Sequence, residues 1–184
     1  METPEATLFF AVPVAEPVRV LAGRLQEAVR QAQGSARLPA LEGVHVTLAF
    51  LGRTPTTRVP DLLRLAGAAT AGLGPFPLAT AGTGGFPAPG RARILWLGFA
   101  PQPVLDGLAE RLRAALRAGA VPFDGKPFSP HLTLARFRDP VDLGRLALPP
   151  QDPVTFQVGA FHLLQSVPGP RGTRYVPLGT LPLP

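Results

Sequence analysis

The chain of 184 residues contains no cysteine. That excludes disulfides, zinc–thiolate sites and thiol nucleophiles. Lysine, methionine, tryptophan and tyrosine occur once each, and histidine three times. No run of about 18 apolar residues exists, so no transmembrane helix is expected. The first seven residues carry two glutamates and no basic residue. They do not read as a secretory signal, and a cytoplasmic location is the expectation. Charged residues make up only 16% of the chain and hydrophobic ones 46%. This balance suits a folded protein and argues against disorder.

Arginine, proline and glycine are abundant. Seventeen arginines and Lys126 stand against 12 acids, for a net charge of +6. Arginine holds phosphate bidentately, so a polyanionic partner fits this balance. A GC-rich coding bias produces the same composition, and composition does not separate the two. The 24 prolines and 20 glycines imply many turns and short elements. The length allows one sizeable core or two small lobes sharing a middle.

Two of the three histidines open two copies of one short stretch. The first is His45-Val46-Thr47-Leu48-Ala49-Phe50 and the second His131-Leu132-Thr133-Leu134-Ala135-Arg136. Both are short and apolar, with β-branched residues, and are expected to be strands. Alternation then puts His45 with Thr47, and His131 with Thr133, on one face. Val46, Leu48, Leu132 and Leu134 turn to the core. Each copy presents an imidazole beside a hydroxyl. Two such pairs, face to face, would make a site for acid–base chemistry on a phosphate.

The flanking sequence repeats as well. An apolar strand is expected over Thr7–Val14 and another over Ala92–Phe99. A helix follows each, one from Glu16-Pro17 to about Ala32 and one over Pro101–Ala118, with apolar residues at three- and four-residue steps. Leu8 precedes His45 by 37 residues, and Ile94 precedes His131 by 37. The first His-x-Thr strand is expected to end at Leu51-Gly52, with a further helix over Arg58–Ala71. Phe76–Ala81 reads as an edge strand because of its prolines, and 82–92 as a flexible glycine-rich loop. Val154–Leu164 and Thr173–Leu178 read as late strands, and the proline-rich end is expected to trail off. The chain therefore reads as a single α+β domain over 1–184. Two pseudo-symmetric lobes, with repeat halves at approximately 7–81 and 92–164, are expected to enclose a central groove.

Two His-x-Thr-hydrophobic motifs 86 residues apart, each after a strand and a helix, resemble the 2H phosphoesterase superfamily. Within it, the chain is similar to the bacterial and archaeal RNA 2′,3′-cyclic phosphodiesterases, formerly called 2′-5′ RNA ligases. The resemblance extends to Leu-Phe-Phe-Ala-Val-Pro at 8–13, His-Val-Thr-Leu-Ala-Phe-Leu-Gly at 45–52 and Ile-Leu-Trp-Leu-Gly at 94–98. It continues through Pro-Phe-Ser-Pro-His-Leu-Thr-Leu-Ala-Arg at 127–136 and the region of Tyr175. It implies two lobes, each an antiparallel sheet backed by helices, with the histidines facing each other across a groove. It implies the two histidines as an acid–base pair; His45 is assigned as proton donor to the leaving 3′ oxygen and His131 as proton acceptor from water, and the symmetry of the two copies equally allows the reverse. It also implies Thr47, Thr133 and Arg136 as phosphate contacts. The expected substrates are RNA with 2′,3′-cyclic phosphate ends or cyclic nucleotides, handled by a monomer with no cofactor and no metal.

Histidine suits this chemistry because its unperturbed pKa of about 6.5 keeps both protonation states accessible near neutrality. Strict alternation would turn Arg136 away from His131, so its role requires a bulge, a twist or a wrapped side chain. Phe50 and Trp96 are expected in the core, and His162 as a structural residue. Arg91 and Arg93 flank the glycine-rich loop and are candidates to meet RNA. Arg171, Arg174 and Tyr175 are candidates to line the groove. Gly82-Thr83-Gly84-Gly85 lacks the lysine and following helix of a P-loop. Two other functions use the same groove: 2′-5′ RNA ligation, and non-catalytic binding of RNA ends or nucleotides.

Overall fold

A computed structural model describes residues 4–170 and 172–184. Among the described residues, eight strands and three α-helices run in the order β1 (Glu5–Pro13), α1 (Glu16–Ala32), β2 (His45–Pro55), α2 (Val59–Ala69), β3 (Phe76–Phe86), β4 (Ala92–Phe99), α3 (Pro103–Ala118), β5 (His131–Val141), β6 (Thr155–Val158), β7 (Ala160–Val167) and β8 (Arg174–Pro182). They form two four-stranded sheets, ordered β2-β1-β7-β8 and β5-β4-β3-β6. All the pairings are antiparallel. The expected α+β architecture of two similar sheets with helices is present.

Each helix starts where proline is tolerated, in its first turn. In α3 the Gln102 side chain also accepts from Val104 N at 3.2 Å, capping an orphan donor. The apolar stripes are buried: Val18, Leu21, Ala22, Leu25 and Val29 on α1, and Leu105, Leu108, Ala109, Leu112 and Leu116 on α3. Full burial of such a Leu or Val side chain contributes roughly 1.5–3 kcal/mol. The helices pack across the pair of sheets. α1 follows β1 of the first sheet yet lies against β5 of the second, and α3 follows β4 yet lies against β2. One continuous core results.

Several sequence expectations are corrected. The stretch 82–86 is no loop, because β3 runs unbroken to Phe86. Gly84 and Gly85 are there for close approach. A Cβ on Gly84 would sit 2.2 Å from the Trp96 ring, and one on Gly85 2.6 Å from the Ala92 Cβ. Nor is β3 an edge strand; it lies between β4 and β6. Pro77 is tolerated because Phe76–Ala79 pairs with β6, while the ladder to β4 occupies Thr80–Phe86. The stretch expected as one strand over Val154–Leu164 is two. β6 joins the second sheet and β7 the first, with Gly159 between them. The C-terminal residues do not trail off: β8 reaches Pro182, Leu183 N bonds Gly159 O at 2.9 Å, and Leu183 is buried. The two sequence halves are therefore not the two sheets. The first sheet takes β7 and β8 from late in the chain, and the second takes β3 from the first half.

Candidate active site

His45 and His131 are the first residues of β2 and β5. Each ring is anchored by its Nδ1 to the carbonyl two residues back: Gly43 O at 2.7 Å for His45 and Ser129 O at 2.8 Å for His131. A carbonyl only accepts, so each neutral imidazole carries its proton on Nδ1 and leaves the Nε2 lone pair free. An aromatic ring meets each histidine edge-on, Tyr175 at His45 (4.9 Å, 88°) and Phe86 at His131 (5.0 Å, 83°). A second ring completes each cage, Phe9 at 4.8 Å and Trp96 at 6.5 Å. Burial is the first cause lowering the pKa of both imidazoles, and the backbone carbonyl partly opposes it. Arg136 lowers both further, and His131 also lowers His45.

His45, Thr47, His131, Thr133 and Arg136 line one pocket of about 140 Å³, together with Pro39, Gly43, Val44 and Tyr175. Among the described residues, no carboxylate lines it.

Arg136 reaches this face through a bulge. In the β4–β5 ladder Leu95 faces Ala135 while Trp96 faces Thr133, so Leu134 is an extra residue. Leu134 and Ala135 are both buried, and Arg136 then falls on the face of His131 and Thr133. The same device occurs in β2: Phe10 faces Ala49 while Ala11 faces Thr47, and Leu48 is extra. Phe50 therefore leaves the core and is 44% exposed, contrary to expectation. Trp96 is also not a core residue. It lies half-buried on the face that carries His131, over Gly84, where a side chain would collide with it.

A bulge leaves a carbonyl outside the ladder. Both orphans are taken up by helix side chains. Gln26 of α1 donates through Nε2 to Leu134 O at 3.1 Å and to Pro39 O at 2.9 Å. Arg113 of α3 donates through Nε to Leu48 O at 3.1 Å and through a terminal nitrogen to Lys126 O at 2.8 Å. These two residues are absent from the expected site. The available signal was a polar residue within the apolar stripe of each helix, at matching places in the two halves.

Other candidates do not join the pocket. His162, expected as a structural residue, bonds through Nδ1 to Thr180 Oγ1 at 3.0 Å. Arg93 donates to the Arg138 carbonyl. Arg91 and Arg174 are exposed. Arg171 lies outside the described residues.

Residues 7–169 match the family model of the 2′-5′ RNA ligase superfamily. The chain belongs to the 2′-5′ RNA ligase superfamily. It is 35% identical to the RNA 2′,3′-cyclic phosphodiesterase of Thermus thermophilus, over 93% of this chain and 87% of that one. The RNA 2′,3′-cyclic phosphodiesterase of Archaeoglobus fulgidus is 28% identical over 91% of this chain and 95% of that one. Among solved structures of the superfamily fold, TT0787 of Thermus thermophilus superposes with a TM-score of 0.79 at 33% identity, covering 96% of this chain and 97% of that one. Escherichia coli LigT complexed with 3′-AMP superposes with a TM-score of 0.76 at 27% identity, covering 98% of this chain and 99% of that one.

Proposed function

We propose that the protein hydrolyses 2′,3′-cyclic phosphate ends of RNA to 2′-phosphomonoesters, by acid–base catalysis between two histidines. The observation that carries this reading is the pair of imidazoles, each anchored at Nδ1, on one pocket with two threonine hydroxyls and an arginine. The neutral His131 Nε2 accepts a proton from water as its oxygen attacks phosphorus. The bond from phosphorus to the 3′ oxygen breaks, and protonated His45 delivers its Nε2 proton to that oxygen. The product is a 3′-hydroxyl and a 2′-phosphate. Thr47 and Thr133 donate hydrogen bonds to the non-bridging oxygens, and Arg136 offsets the charge that grows there. The exposed Phe50 ring, on the same face of β2, offers a stacking surface for a nucleobase.

Burial keeps His45 neutral in the free protein more readily than in water. The arriving phosphate anion restores its proton, because an opposite charge nearby favours the charged form. All five residues come from one chain, so the site is complete without a partner subunit.

A 2′,3′-cyclic-phosphate oligonucleotide incubated with the protein and EDTA tests the reading. Turnover to the 2′-phosphate is expected, and His45→Ala or His131→Ala should each reduce it by about 10²–10⁴-fold. Full turnover by either variant overturns the assignment. The superfamily takes its name from 2′-5′ RNA ligation. By microscopic reversibility the same histidines run attack by a 5′-hydroxyl, and product analysis with such an acceptor separates the two.

A further inference from the structure

We propose that Arg37 forms a subsite for the phosphodiester one nucleotide upstream of the cyclic phosphate, so that RNA ends are favoured over free cyclic mononucleotides. This rests on the activity proposed above and names its substrate class more finely.

Arg37 lies outside both sheets, yet its backbone makes an isolated antiparallel bridge to Arg136. Arg37 N donates to Arg136 O at 2.9 Å, and Arg136 N donates to Arg37 O at 2.8 Å. Exchange of both bonds marks a directly opposed pair, with Cα atoms about 5.5 Å apart. Directly opposed residues carry their side chains on the same face of the ladder. Arg136 lines the pocket, so Arg37 projects from that face one strand further out. Pro39, two residues on, is itself a wall of the pocket.

The Arg37 segment is held in place. Gln26 is only 3% exposed, and its Nε2 bridges Pro39 O and Leu134 O, tying the 37–39 segment to the bulge of β5. The guanidinium borne by this fixed backbone is exposed and, among the described residues, has no carboxylate within 4.0 Å and no side-chain hydrogen bond. Among the described residues, the fold makes no use of this cation. A cyclic mononucleotide brings a single phosphate, which Arg136 and the two threonines take. An RNA end brings a second phosphate next to the cyclic one, and Arg37, opposite Arg136 and two residues from Pro39, is placed to meet it.

The test compares kcat/KM for three substrates: a nucleoside 2′,3′-cyclic phosphate, a trinucleotide ending in the same cyclic nucleoside, and that trinucleotide with a neutral methylphosphonate at its last phosphodiester. Arg37→Ala should keep cyclic mononucleotide turnover within about twofold and lose about five- to tenfold on the trinucleotide. Its dependence of log kcat/KM on log salt should be shallower by about 0.7, the share of one single-strand phosphate. The methylphosphonate should cost the native protein the same factor and cost Arg37→Ala nothing. Equal losses on mononucleotide and trinucleotide, or no loss on either, would overturn the subsite while leaving the hydrolysis reading intact. A native protein that turns over neither substrate overturns the proposed activity, and the subsite with it.

Discussion

Each imidazole of the pocket is governed by two opposing influences, burial that disfavours the cation and a carbonyl at Nδ1 that favours it. Burial wins, being the first cause at both rings. Two consequences follow from that sign. The unfolded chain holds its histidines near 6.5, while the folded chain holds His45, His131 and also His162 below. Below about 6.5 the unfolded state therefore binds more protons, and stability rises with pH. The ligand-free protein should be at full stability above that value and lose stability as pH falls through the folded pKa values. Urea midpoints measured across pH check this, and the His45→Gln/His131→Gln double variant should show a flatter acid limb. The second consequence concerns Arg136, whose positive charge lowers both imidazoles. Arg136→Ala should reduce kcat/KM and move the inflections of its pH profile upward. A profile that keeps its inflections would show that Arg136 does not face the rings. Both His-x-Thr pairs are legible in the sequence because alternation over three residues needs no knowledge of the partner strand.

At the scale of elements, the bulge decides what the sixth position of each copy, Phe50 or Arg136, does. Strict alternation sends Phe50 and Arg136 to the core, and one extra residue in each strand, Leu48 and Leu134, brings them out. No local propensity announces these bulges, because the bulged residue is an ordinary buried leucine in both copies. What stabilises them is distant in sequence. Gln26 reaches Leu134 O across 108 positions, and Arg113 reaches Leu48 O across 65. Gln26→Leu would strand a buried carbonyl, at a cost of about 1–3 kcal/mol. The variant should melt earlier and show a raised KM. In combination with Arg136→Ala the KM effects should be less than additive, because both act through the same stretch of β5. Additive effects would make Gln26 a stability residue only.

On the scale of the whole molecule, the lobes are not separable units. Each sheet borrows strands from the opposite half of the sequence, and each long helix backs the strand bearing the other motif. The core is one cluster. Unfolding is expected as one cooperative transition, with the fluorescence of Trp96 in the second sheet and the far-UV circular dichroism of the whole chain coinciding. Separate midpoints would mean that one sheet survives the other. The sequence by itself determined the two strand–helix–strand units, the His-Thr pairs and the near absence of other titratable candidates, since these depend on periodicity and residue chemistry within short windows. Only the tertiary structure decided that β3 pairs with the second half, that Gly82–Gly85 is strand, that Tyr175 and Phe86 cage the histidines, and that Arg136 faces the pocket. Each of these depends on which backbone lies alongside, and on a carbonyl or ring contributed by a residue far along the chain.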